Sequence, residues 1–204
     1  GLGGGRLYAR PSEIVEARRL EAVASALVRL RAARAEGRHA AGWIGYEAGA
    51  ALESKLADNA APAEGAPLLW FGLFDAPRLL EEADMPALLP DPAGAWAGPP
   101  RTRITRDAYA AAVARVLAYI AAGDIYQANL SFRADVPVLG DPLALYARLR
   151  ASSEAGWGGV VWTGRHWLLS CSPEMFFTLE GGRLETRPMK GTARRGADRQ
   201  ADEA

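Results

Sequence analysis

Leu20, Val23, Leu27 and Leu30 recur at spacings of three and four, the single apolar stripe of a helix packed on one side. Arg18, Arg19, Arg29, Arg31 and Arg34 fall largely off that stripe, and Gly37 supplies a C-terminal stop. Ahead of the helix, Leu7, Tyr8, Ile14 and Val15 lie around Pro11-Ser12 and predict two short strands with a turn within residues 6–18. Behind it, residues 40–46 are small and aromatic and read as a strand. Residues 68–74 (Leu-Leu-Trp-Phe-Gly-Leu-Phe) form a continuous apolar run bounded by Pro67 and Pro77, the pattern of a strand covered on both faces. Residues 58–66 between them, rich in Ala, Pro and Glu, predict a loop. Residues 86–100 hold five prolines and two glycines and are expected to be a surface connection, neither helix nor inner strand.

The helix signal in the second half is the clearest. Thr105 is a candidate N-cap, Asp107 lies in the first turn where the helix dipole favours an anion, and Gly123 closes the far end. Tyr109, Val113, Val116, Leu117 and Ile120 make its apolar stripe. Residues 125–136 are expected to be a strand, and Asp141-Pro142 supplies an N-cap and an N1 proline for a helix running to about Arg150. Residues 158–162 and 167–170 flank the turn Thr163-Gly164-Arg165-His166. Met175–Glu180 and Arg183–Arg187 flank Gly181-Gly182, and two adjacent glycines between alternating strands predict a hairpin, because tight hairpin turns need positive φ. Mixed strands and helices ending in consecutive hairpins predict an α+β fold with largely antiparallel β-sheets and flanking helices. The predicted organisation is an N-terminal subdomain over residues 1–100 and a second domain beginning at residue 101 and running to 204.

Composition changes this picture mainly by exclusion. The 204 residues are 50% hydrophobic, enough for one sizeable core or two small ones. Lys plus Arg and Asp plus Glu both number 24, and no polybasic stretch tracks a phosphate backbone, so nucleic acid is not an expected partner. Arg194-Arg195 beside Asp198, Asp202 and Glu203 reads as a solvated face. One cysteine, Cys171, excludes an internal disulfide framework and is expected to be a buried structural thiol. No run of about 18 apolar residues and no signal-peptide pattern occur, so the expected setting is cytoplasmic, without a membrane.

The last hairpin brings possible chemistry together. With Gly181-Gly182 as the turn, Glu180 opposes Arg183, and a strict ladder sets Glu174 opposite Met189 and Pro173 opposite Lys190. Glu174 and Lys190 then emerge at the same end of one hairpin, on opposite faces. Pro173 and Pro188 cannot donate ladder hydrogen bonds, so pairing is expected to fail there, and a bulge at the turn would place the two directly opposite. A carboxylic acid and an amine so placed suit a displacement, in which neutral lysine attacks an electrophilic carbon while the acid protonates a departing hydroxyl. Lysine at its reference pKa of ~10.4 is almost wholly protonated at neutral pH, so such work needs burial or a nearby cation. A general acid must instead retain its proton, which burial also favours. The bland alternative is a surface Glu and Lys at a strand end.

Ser172-Pro173-Glu174 followed by Thr186-Arg187-Pro188-Met189-Lys190-Gly191-Thr192 resembles the paired signatures of the chorismate-utilising enzymes, S-P-E and then T-x-P-x-K/A-G-T. Upstream, Gly123-Asp124-Ile125-Tyr126-Gln127-Ala128-Asn129-Leu130-Ser131 is similar to that family's G-D-x-Y-Q-x-N-L segment. Gly45-Tyr46-Glu47-Ala48-Gly49 and residues 68–78 resemble the N-terminal part of the component I branch of aminodeoxychorismate synthase. The resemblance covers nearly the whole chain. It implies a partial sandwich of the anthranilate synthase component I type, with chorismate as substrate and Glu174 as general acid/base at the ring hydroxyl. It also implies Lys190 as the nucleophile that attacks the ring. Gly191 and Thr192 would lie against the substrate, whose two carboxylates require donors.

In that branch a lysine occupies the position of Lys190, whereas anthranilate synthases usually have alanine there and ammonia attacks directly. The resemblance therefore implies para-amination of chorismate to 4-amino-4-deoxychorismate for folate and para-aminobenzoate biosynthesis. A glutamine amidotransferase subunit would supply the ammonia. Some members are fused to a lyase domain. The family's later segments, the glutamates that bind Mg²⁺ and a G-x-S-x-T-G-A-P-K stretch, do not occur in the 204 residues. Mg²⁺ is thus expected for the full-length enzyme with ligands outside this chain, and the chain by itself is expected to be inactive. Anthranilate synthase component I, or another chorismate-utilising enzyme, is the alternative in the same class. A non-catalytic binding fragment is the alternative of another class. Leu52-Glu53-Ser54 resembles a tryptophan-inhibition motif but follows a different segment, and His166 has no second histidine nearby; neither is assigned a role.

Overall fold

The computed structural model describes residues 4–57, 65–153 and 155–188. In chain order these form β1 (Gly5–Leu7), β2 (Glu13–Ala17), α1 (Leu20–Ala35), β3 (His39–Ile44), α2 (Ser54–Ala57), β4 (Leu69–Phe74), β5 (Arg78–Leu80) and α3 (Met85–Leu88). There follow β6 (Ala95–Ala97), β7 (Arg101–Thr102), α4 (Arg106–Ala122), β8 (Ala134–Asp135), β9 (Val138–Gly140) and α5 (Pro142–Ser153). The last four strands are β10 (Trp157–Trp162), β11 (Trp167–Ser172), β12 (Met175–Glu180) and β13 (Arg183–Arg187). Every ladder among the described residues is antiparallel, in small sheets of two or three strands, as an α+β fold requires. No helix among the described residues is long and apolar enough to cross a membrane. The chain divides into two compact units, one drawn from Gly1–Leu89 and Leu149–Ala204 and the other from Pro90–Arg148.

In the first unit the apolar run at residues 68–74 becomes the middle strand of the sheet β2-β4-β3. Leu69 and Leu73 point to the side where α1 packs, joined by Val15, Ala17, Val23, Ala26 and Ala33. Trp70 and Phe74 point to the other side, where Trp70 stacks on Trp43 with centroids 5.6 Å apart and Phe74 meets Tyr8 at 5.2 Å. The stripe predicted for α1 is the face that packs: Val23 is fully buried, and Leu20, Leu27 and Leu30 close over the cluster. Arg29, off the stripe, holds the helix to the sheet. Its Nε and Nη2 donate to the two carboxylate oxygens of Glu13 on β2 at 2.8 and 2.6 Å, and Arg38 Nη1 adds a contact at 3.2 Å. Hydrogen bonding from Arg29, ahead of the charges of Arg29 and Arg38, holds the Glu13 carboxyl below the usual carboxylate range.

Leu69 is 0% exposed and paired on both sides, with Ala17 and with Ile44. Leu69→Ala should therefore destabilise the protein by about 2–5 kcal/mol, the range for a leucine deleted from a filled core. Urea unfolding at fixed m-value reads this; a loss below about 1 kcal/mol, more typical of an average site, would mean that the core is not organised around β4.

The second unit confirms the caps and corrects the strands. Thr105 Oγ1 accepts from Ala108 N–H at 3.2 Å, and Gly123 ends α4 at φ 82°. Asp141 Oδ1 accepts from Leu143 N–H at 2.8 Å to open α5. Residues 125–136 are not one strand: only Ala134–Asp135 pairs, with Arg101–Thr102, and the residues before it find no ladder among the described residues. Residues 86–100 are more ordered than a connection. Pro86 sits in the first turn of α3, where its missing N–H costs nothing, and proline-free Ala95–Ala97 pairs with Val138–Gly140. Tyr46 of the first unit, predicted at the end of a strand, instead opens the 3-10 turn Tyr46–Ala51. The stripe of α4 forms but is not covered: Tyr109, Leu117 and Ile120 are exposed, and Val113 and Val116 are half-buried. The two sheets of this unit are ladders of two and three residue pairs and offer a helix little apolar surface.

Candidate active site

The two predicted hairpins are present. In the first, Trp162 pairs with Trp167 across the turn and the rings stack at 4.7 Å. Cys171 on β11 is half-buried and unpaired, less enclosed than its apolar flanks suggest, because its partner across the ladder is Gly158, which has no side chain to cover it. In the second, Glu180 opposes Arg183 across Gly181-Gly182, both of which have positive φ.

The ladder then departs from the expected register. Thr178 faces Glu185, but Met175 faces Arg187 where an unbroken ladder would set Pro188. Phe176 and Phe177 together oppose Thr186, which is a bulge of two residues against one. The bulge lies inside the strands, not at the turn, and it shifts the pairing in the opposite sense to a direct Glu174–Lys190 opposition. The glycine turn is tight and keeps its register, so the extra residue is absorbed where two bulky aromatics meet. Phe176 is 86% exposed and Phe177 53%, their rings edge to face at 5.2 Å.

Glu174 stands at the bend between β11 and β12, exposed to solvent. Its backbone is tied to Ser172: the Glu174 N–H donates to Ser172 Oγ at 3.3 Å, and Ser172 Oγ donates to the Glu174 carbonyl at 2.9 Å. On its other side Met175 is 6% exposed, an inward anchor at the first position of β12. The carboxyl is thus carried on a fixed stretch of backbone and faces outward, and the described residues do not enclose it. In the sequence Ser172 stands only as a letter of a motif. A Ser-Pro-Glu step between two strands is itself a signal for a serine turn, since a hydroxyl can reach the backbone two residues on.

Lys190, Gly191 and Thr192 lie outside the described residues, as does the charged stretch from Arg194 to Glu203 and most of the predicted loop at 58–66. The Gly123–Ser131 segment belongs to the second unit, an irregular stretch with Tyr126 exposed. Leu52 and Glu53 follow the 3-10 turn and are exposed. The His166 backbone N–H donates to Thr163 Oγ1 at 2.9 Å, while its Nδ1 is buried without a partner among the described residues. No three His, Cys, Asp or Glu side chains among the described residues gather so as to hold a metal ion.

Comparison with known proteins matches the chain over residues 6–204 to the family described as chorismate binding enzyme. Anthranilate synthase component 1 of Thermus thermophilus is 43% identical over 98 residues, 48% of this chain and 21% of that protein. Aminodeoxychorismate synthase component 1 of Bacillus subtilis is 35% identical over 115 residues, 56% of this chain and 24% of that protein. Its counterpart in Salmonella typhimurium is 32% identical over 182 residues, 80% of this chain and 40% of that protein. The chain therefore spans less than half the length of these curated relatives. The motifs around Glu174, set on the hairpins described above, and the match over residues 6–204 together make this chain a member of the chorismate binding enzyme family.

Proposed function

We propose that this chain is part of an aminodeoxychorismate synthase component I, which joins chorismate and ammonia into 4-amino-4-deoxychorismate. The observation that carries the reading is Lys190 within Thr186-Arg187-Pro188-Met189-Lys190-Gly191-Thr192, following Ser172-Pro173-Glu174. Lysine at that position distinguishes the para-aminating branch from the alanine usual in anthranilate synthases. The Salmonella and Bacillus relatives carry the same name. In this reading the Lys190 amine forms a bond to a ring carbon of chorismate, the carbon–oxygen bond of the ring hydroxyl breaks, and Glu174 gives the departing oxygen its proton, so that it leaves as water. Ammonia from a glutamine amidotransferase subunit then displaces the lysine. Gly191 and Thr192 serve the substrate carboxylates. Mg²⁺, when bound, would supply positive charge for those carboxylates.

In the hairpin Met175 pairs with Arg187, which leaves Glu174 one residue beyond the last described pair. The exposure of Glu174 leaves it open to substrate, and bound substrate would itself exclude the water around the carboxyl.

Anthranilate synthase is the second reading, favoured by the 43% identity to the Thermus enzyme. Product identity separates the two. The full-length enzyme with chorismate, ammonia and Mg²⁺ should release 4-amino-4-deoxychorismate, seen by mass spectrometry and by conversion to para-aminobenzoate with added lyase. Anthranilate fluorescence in place of that product would give the chain to the ortho-aminating branch.

A further inference from the structure

We infer that Ser172 is the positioning residue for Glu174, acting through two hydrogen bonds from one hydroxyl to the Glu174 backbone; the inference rests on the proposed role of Glu174 as the acid. The Glu174 N–H reaches Ser172 Oγ at 3.3 Å, and the same hydroxyl donates to the Glu174 carbonyl at 2.9 Å. One side-chain oxygen therefore satisfies both backbone polar groups of the residue that carries the carboxyl. Ser172 is itself well placed to be rigid. It is the last residue of β11, half-buried and paired with Trp157.

The need for this tie follows from the sequence between them. Pro173 has no N–H, so the bend cannot be closed by an ordinary ladder bond, and Glu174 lies one residue before the pairing of β12 begins. The Glu174 side chain is exposed, and nothing buried among the described residues sets its direction. Its backbone is held from one side by the Ser172 hydroxyl and from the other by Met175, which is 6% exposed. With both in place, the backbone that carries the Glu174 side chain is fixed and only the side-chain torsions remain free. Without the hydroxyl, both backbone groups turn to water and the bend loosens. A general acid must lie within hydrogen-bond reach of the oxygen it protonates, and a displacement of about 1 Å can cost about 10²-fold in rate.

The test is made in the full-length enzyme. Ser172→Ala should lower kcat roughly 10- to 100-fold with KM for chorismate nearly unchanged, because the carboxyl is needed in the transition state and not for binding. Ser172→Thr keeps the hydroxyl and should restore most of kcat. Ser172→Val has the shape of threonine without the hydroxyl and should not, a comparison that stands even where alanine fails to fold. In a Glu174→Gln background, Ser172→Ala should cause no further loss, since the residue it positions is already inert. Unchanged kcat in Ser172→Ala, equal activity of the Thr and Val variants, or a full additional loss in the Glu174→Gln background would each overturn the inference. A fully active Glu174→Gln would overturn the underlying reading of Glu174 as well. An inactive Glu174→Gln beside a fully active Ser172→Ala would remove Ser172 alone.

Discussion

Glu174→Gln in the full-length enzyme should lower kcat for amination of chorismate by about 10²–10⁴-fold, the range over which a positioned acid contributes. Glutamine preserves the length and hydrogen-bonding shape of the side chain but has no acidic proton for the departing hydroxyl. KM for chorismate should change little, because the proton is transferred only as the carbon–oxygen bond breaks. The fold should be indifferent. Glu174 is exposed and holds its neighbours through its backbone, which the substitution retains, so the change in stability should stay within about 0.5 kcal/mol. Steady-state kinetics beside a thermal melt separate these claims. Wild-type kcat with an unchanged melt would make Glu174 an ordinary surface carboxylate at a strand end and dissolve the site built around it.

The parts of the fold that were legible in the sequence are those set by local chemistry. Thr105 and Gly123 bound α4 because a hydroxyl and a left-handed residue each satisfy groups within a turn's reach. Gly181-Gly182 specifies its hairpin in the same way, and the apolar run around Leu69 announces a strand covered on both faces. What escaped depends on partners distant in the chain. Residues 125–136 alternate well enough for a strand, yet only Ala134–Asp135 meets another strand among the described residues. The stripe of α4 gives the helix its period and says nothing of what lies against it. The hairpin bulge escaped for a third reason. Phe176 and Phe177 carry no glycine or turn signal, and only the pairing of β12 with β13 reveals that both oppose Thr186. That single irregularity sets Met175 against Arg187 in place of Pro188, so the register beside Glu174 was the least readable property of the most readable hairpin.

Lys190→Ala tests the half of the site that lies beyond the described residues. Its expected result is loss of covalent capture: intact-mass spectrometry of the wild-type enzyme after incubation with chorismate should show an adduct, and the alanine variant should show none. Alanine removes the only nucleophilic side chain between Met189 and Thr192 that can add a carbon–nitrogen bond. The chemical step should slow by roughly 10³-fold or more, the scale on which removal of an enzyme's nucleophile acts, and residual amination should shift toward direct attack by ammonia. Stability should again move by no more than about 0.5 kcal/mol if the lysine has no structural duty. The two variants also constrain each other. Glu174→Gln keeps the nucleophile but leaves the ring hydroxyl a poor leaving group, so its adduct should form slowly, whereas Lys190→Ala should form none at any time. An adduct of equal yield on the alanine variant, or unchanged para-amination kinetics, would take Lys190 out of the mechanism. The chain would then share its chemistry with the anthranilate synthases, whose ammonia attacks the ring without a lysine between.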